Sequence, residues 1–118
     1  MNAIDPKMRS KVKKALASAN NTYDFDDIMN CLRQGTMQGH VVGNTWALTQ
    51  VHDWPQRRSV NIMFVIGDMK DLSELEQKVT QWAKDNGADL LTAMGRDGWQ
   101  SMMHDGWKAV GTLYSKDI

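Results

Sequence analysis

Residues 64–76, FVIGDMKDLSELE, run from an apolar stretch through a short loop into a polar segment with helical spacing. A strand that passes through a tight loop into a helix often holds a phosphate. Glycines there let backbone N–H groups close around the anion, and the helix dipole adds partial positive charge. The loop GDMKDL supplies one glycine, Gly67, and one cation, Lys70, beside two acids, Asp68 and Asp71. Each carboxylate opposes a nearby anion by roughly 1 kcal/mol or more at short range, so the residues themselves argue that a phosphate cradle is lost. The other titratable side chains are scattered. His52 and Asp53 adjoin a turn and His104 lies near the end of a short helical stretch. Any of them can serve as a base, yet a solvated or capping histidine is the default reading. Cys31 stands beside Leu32 in an apolar-periodic segment with no base next to it, which reads as a buried structural thiol rather than a nucleophile. Neither C-x-x-C nor H-x-x-x-H occurs, so no metal site is expected.

A chain of 118 residues, 42% apolar, is long enough for one core and short for two. Fourteen basic and fourteen acidic residues cancel, so no global field favours nucleic acid or an anionic membrane. One cysteine excludes an intrachain disulfide and suits a reducing compartment. No signal peptide is expected, and the longest apolar run, IMFVIG, falls far below the roughly 20 residues of a membrane span. Asp5 and Pro6 open a first helix as N-cap and N1, with Met8, Val12, Ala15 and Leu16 on one face. A second helix is predicted from about Asp24 to Gln34, with Gly35 as its stop. Three strands follow in GHVVGN, WALTQVHD and SVNIMFVI. Ser73 and Glu76 have capping-box spacing at the head of a helix that Gly87 ends. ADLLTAM reads as a strand, RDGWQSMMHD as a short helix and WKAVGTLYS as a last strand. The expectation is an α/β (α+β) domain with a mixed sheet of about five strands, the strands flanking the helix from Ser73 being parallel. Val60, Ile62, Phe64 and Ile66 should share one face, with Leu75, Val79 and Trp82 over the sheet.

The first turns carry Lys7, Arg9, Lys11, Lys13 and Lys14. Residues 1–20 are read as a basic amphipathic helix attached to a domain of residues 21–118. This helix is an ordinary solvated face, an arm for an acidic protein partner, or a nucleic-acid or membrane contact. It carries no Trp or Phe anchor for a membrane and no aromatic platform for RNA, which disfavours the last reading. Its apolar stripe is narrow, so the core is expected to close without it. Trp54 precedes a proline in a turn, while Trp99 and Trp107 flank the last helical stretch. They either pack in a methionine-softened core or form a contact surface. Lys7, Lys11, Lys14, Trp54, Trp99 and Trp107 are the candidate partner-binding residues.

The element order, and above all the closing stretch GADLLTAMGRDGWQSMMHDGWKAVGTLYSK, resembles the GCN5-related N-acetyltransferase (GNAT) family over about residues 24–115, without its usual first and last strands. Gly106 and Trp107 stand where that family has Gly-Phe. The GR-x-GW and GW-x-x-VGT patterns also resemble GNAT-like proteins encoded among the morphogenesis genes of tailed phages. The resemblance implies a notch beside strand Val60–Ile66 that receives pantetheine, with the diphosphate on the loop after it. The family's glycine-rich loop is replaced here by GDMKDL, and Met102 stands where the family's proton-donating tyrosine would lie. Tyr114 is the nearest phenol and falls in the expected last strand. The resemblance therefore implies a phage-encoded binding or structural protein. It would act in virion assembly or genome delivery, in the host cytoplasm or the virion, with protein partners, no catalytic residue and no cofactor. The alternative it implies is an acyl-CoA-dependent N-acetyltransferase with an atypical loop. In that case Val65, Gly67, Met69 and Lys70 line acetyl-CoA through their backbone.

Overall fold

The structure is a computed structural model describing residues 6–17, 22–94 and 106–118. Helix α1 spans Pro6–Ala17 and opens on its proline, whose missing N–H is harmless in a first turn. Helix α2 (Phe25–Gln34) is fixed at both ends by its sequence. The Asp24 carboxylate accepts from the Asp27 N–H at 2.8 Å and the Asp27 carboxylate from the Asp24 N–H at 3.0 Å. At the other end Gly35 takes φ +79°, a left-handed turn that closes the helix.

Strands β1 (Gln38–Val42), β2 (Thr45–Asp53), β3 (Arg58–Ile66) and β4 (Leu90–Ala93) form one sheet in that spatial order. The first three are antiparallel neighbours, and β4 runs parallel to β3. Helix α3 (Leu72–Asp85) makes the crossover between β3 and β4, the parallel unit the sequence predicts. Its Leu75, Val79 and Ala83 pack on Ala47, Val60 and Ile62, with Trp82 partly buried beside them. The opposite face of the sheet, with Trp46, Leu48 and Ile66, is covered by Val12 and Leu16 of α1 and Ile28 of α2. Val12 is fully buried. The expectation that the core closes without α1 is therefore corrected: the helix is basic outside but supplies two of the side chains that seal this face.

Three further expectations change. Val60, Ile62, Phe64 and Ile66 do not share a face. Leu48 pairs with Phe64 and Thr49 with Ile62, so Met63 is an extra residue on β3. This bulge resets the alternation. Val60 and Ile62 lie under α3, whereas Met63, Phe64 and Ile66 pack on the α1/α2 side. Ser73 is not a cap either. A 3₁₀ turn at Met69–Asp71 leads straight into α3, with Asp71 at the cap position and no side-chain cap bond. Glu76 instead accepts a hydrogen bond from the Trp107 indole. Lastly, residues 107–118 form no strand, so the described residues hold four strands rather than about five. Val110, Leu113 and Tyr114 are 85%, 68% and 88% exposed. Apolar alternation makes a strand only where a neighbouring edge completes its ladder. The short helix expected after β4, with Trp99, Met102 and His104, lies outside the described residues.

Candidate functional site

The pairing of β3 with β4 runs from Ser59↔Leu90 to Ile62↔Ala93 and stops there, while β3 continues to Ile66. Among the described residues no strand takes that side of β3 beyond Ile62, so the two strands part into a notch. The bulge at Met63 sits where they part, and a bulge bends its strand and sharpens the twist. The tight two-residue turn Gly43–Asn44 makes Val42↔Thr45 the closing hydrogen-bonded pair of the first hairpin. Alternation then turns Trp46 and Leu48 toward Ile66 and Phe64, and leaves the N–H and C=O of Val65 facing the notch. An extended ligand with amide groups can pair there as an added strand would.

Just below the notch, the Thr92 hydroxyl donates to the Asn61 side-chain oxygen across β3 and β4 at 2.9 Å. Val60 and Ile62 point toward α3, so Asn61 lies on the opposite face, and Thr92 with it because Leu91 and Ala93 also pack on the α3 side. A neutral amide and a hydroxyl can orient an amine or a water. Neither removes a proton at neutral pH.

The loop after β3 is tied to the β1–β2 turn. Gly67 takes φ +117°, and a Cβ built on it would lie 2.1 Å from the Asn44 carbonyl oxygen and 2.9 Å from the Thr45 Cα. Its missing side chain makes room for neighbouring backbone, not for a ligand. The Asp68 carbonyl accepts from the Thr45 hydroxyl and, at 3.3 Å, from the Asp71 N–H. The Asp68 carboxylate takes the Lys70 N–H at 3.1 Å and sits 3.7 Å from the Lys70 ammonium. Asp71 lies against the turn, its Oδ2 2.8 Å from where a Cβ on Gly43 would be. An extended amide arm would meet the Val65 N–H and C=O in the notch, whereas a diphosphate on the loop would compete with the Asp68 carboxylate for the Lys70 N–H and ammonium.

The sequence-named residues are placed unevenly. Val65 and Gly67 lie on the notch and its loop, Lys70 is exposed beside them, and Met69 is in the 3₁₀ turn with its side chain outside the described set. Lys11 and Lys14 are exposed on α1, where Arg9 also stacks on Phe25 at 4.6 Å; the Lys7 side chain is outside the described set. Trp54, 54% exposed in the β2–β3 turn, tilts against His52 at 4.1 Å and donates to Ser59 at 3.0 Å. Trp107 is half-buried against the α3 core. These residues are not brought into one patch. His52 and Asp53 flank that same β2–β3 turn, at the far end of β3 from the notch, about 20 Å along the strand. The Arg58 guanidinium, 2.6 Å from Asp53, holds that carboxyl below the usual range by its hydrogen bond.

His40, Asn61 and Thr92 carry polar chemistry that the sequence reading passed over. His40 on β1 is buried, its Nε2 3.0 Å from the Thr49 hydroxyl and its ring edge-on to Trp82 at 5.3 Å. Burial, aided by the Lys78 charge, pushes its imidazole below the ordinary 6.5, so it is neutral and structural. Asn61 and Thr92 had a signal: each is a polar residue alternating with apolar ones in a buried strand. Among the described residues no group of three or more His, Cys, Asp or Glu is placed to hold a metal, and no helix is long and apolar enough to cross a membrane. Cys31 is a free, half-buried thiol packed beside the α1/α2 core.

No family model matches the chain, and no curated protein matches its sequence. Solved structures do match its shape. An aminoglycoside acetyltransferase from an uncultured soil metagenomic sample superposes with TM-score 0.66 at 11% identity, over 96% of this chain and 90% of that one. An acetyltransferase of Trypanosoma brucei gives 0.63 at 10% identity, over 98% and 96%. A ribosomal-protein-alanine N-acetyltransferase of Brucella melitensis gives 0.54 at 10% identity, over 94% and 96%. At such identities the likeness carries the fold alone, and the fold is GNAT-like, a single domain with a mixed sheet between helices.

Proposed function

We propose that this chain is an N-acyltransferase that takes an acyl-CoA thioester through the β3–β4 notch. The observation that carries the reading is the coincidence of the Met63 bulge with the end of β4 pairing, which leaves the Val65 N–H and C=O turned toward an edge that no described strand pairs. The acetyltransferase neighbours, matched over nearly their whole length, support it. When bound, the thioester supplies the activated acyl group. The chain's own part is to hold the arm along β3 and to steer the acceptor amine with Asn61 and Thr92. With no base beside them among the described residues, the amine proton leaves through water.

Val65→Pro tests this, because it deletes the notch-facing N–H without removing a bond to β2. Calorimetry on the full chain should show acetyl-CoA binding that the folded variant loses. Equal binding by the variant would place the ligand elsewhere, and no binding by the parent chain would end the reading. A second reading, a cofactor-free binding protein of a phage virion, is favoured by the loop's closure on its own Asp68 carboxylate. It gains ground only if acetyl-CoA and shorter pantetheine thioesters all fail to bind.

A further inference from the structure

We infer that Asp68 stands in for the donor's diphosphate, so that this protein recognises a pantetheine thioester by its amide arm and draws no affinity from the nucleotide beyond it. This rests on the notch reading above and names the donor class for that site. The loop's one cation, the Lys70 ammonium, and the Lys70 N–H are both turned to the Asp68 carboxylate, at 3.7 and 3.1 Å. The loop that carries this carboxylate is tied down, because the Asp68 carbonyl accepts from the Thr45 hydroxyl and the Asp71 N–H. The Asn44 carbonyl, itself a partial negative charge, lies against the Gly67 Cα where a side chain would be. Asp71 adds a second carboxylate, braced against Gly43. A diphosphate entering here would meet two acids and a carbonyl and would have to break an existing ion pair. The arm meets no such obstacle, because Val65 presents its backbone groups to the notch without any charge nearby on β3. The nucleotide end of a coenzyme A donor is therefore left in solvent, and a donor that ends at the pantetheine hydroxyl loses nothing.

The test is calorimetry on the full chain with three probes: coenzyme A, 4′-phosphopantetheine and pantetheine. The three should bind within about threefold of one another. Asp68→Ala frees the Lys70 groups and should raise coenzyme A affinity about tenfold or more while pantetheine stays within about threefold. Asp68→Asn keeps an acceptor oxygen for the Lys70 N–H and removes the charge; it should give a smaller gain in the same direction, and it serves if the alanine variant fails to fold. Coenzyme A binding tenfold tighter than pantetheine to the parent chain, on the order of 1.4 kcal/mol, would overturn the inference and leave the acyltransferase reading standing. Parity in the parent chain with no gain in either Asp68 variant would also overturn it. No binding of any probe would instead remove the acyltransferase reading, and this inference with it.

Discussion

Replacing Gly67 by alanine separates two roles that a glycine after a strand can have. If it cradles an anion, the variant keeps its stability and loses a ligand. If it makes room for the β1–β2 turn, the variant loses stability with no ligand present. The geometry favours the second. At φ +117° an L side chain is strained, which costs about 1–3 kcal/mol. The added Cβ would also sit 2.1 Å from the Asn44 oxygen and 2.9 Å from the Thr45 Cα. Both are backbone atoms in a paired hairpin, so relief requires the turn to move by about 1 Å, an overpacking cost of about 1–3 kcal/mol. A loss of about 4 kcal/mol lowers the melting temperature of a domain this size by about 15 °C. Gly35→Ala is the control. It has φ +79° and nothing within 4 Å of the new Cβ, so only the left-handed conformation is penalised, by about 1 kcal/mol or about 4 °C. Thermal and urea unfolding of both variants give the comparison. Equal melting temperatures for the two would refute the claim that the turn rests on Gly67.

Three other outcomes follow from the packing. Leu16→Ala should cost about 2–5 kcal/mol in urea unfolding, because Leu16 is buried against Ile28, Trp46 and Leu48, while Lys11→Glu on the exposed side of α1 should stay within about 0.5 kcal/mol. His40, held neutral below the ordinary 6.5 by burial and Lys78, makes stability fall in acid. The unfolded chain takes its proton first, so the contribution is complete above 6.5 and is lost as the pH drops from there toward the folded value; unfolding midpoints between about pH 5 and 8 should slope upward in the parent chain and flatten in His40→Gln. A double-mutant cycle with Asn61→Leu and Thr92→Val should return a coupling of about 1 kcal/mol, since each single change strands its partner.

Helix ends were legible in the sequence because their causes are local. Pro6 at a first turn and Gly35 at a stop each act within a few residues of themselves; the Asp24–Asp27 capping box is as local but was not read. The strand runs were legible for a similar reason. The errors lie where distant segments decide. WKAVGTLYS has a strand's pattern, but among the described residues no edge pairs with it. The lysines of α1 drew attention to its outer face, so the part that Val12 and Leu16 play in the core was missed. Gly67 was read in phosphate-loop terms and Ser73 as a cap; the β1–β2 turn pressed against the loop shows what Gly67 does, and the turn at Met69–Asp71 puts Asp71 rather than Ser73 at the head of α3. The bulge left no mark at all. IMFVI is apolar at every position because both faces of the sheet are covered, so no polar residue records the slip in register.

That unmarked residue links the core to the site. Met63 adds one residue to β3 opposite Leu48 and Thr49. In doing so it hands Phe64 and Ile66 to the α1/α2 side, and Val65 is left with its backbone facing the side of β3 that β4 no longer pairs. Packing by Val12 and Leu16 on that side therefore holds the bulged segment in place. The side chains that pack the bulged segment come from a helix whose outer surface is rich in lysine. A cavity made beneath α1 should loosen β3 at the notch before it loosens the β2–β3 turn, where Arg58 and Asp53 and then Arg57 and Asp89 tie the opposite end of the sheet.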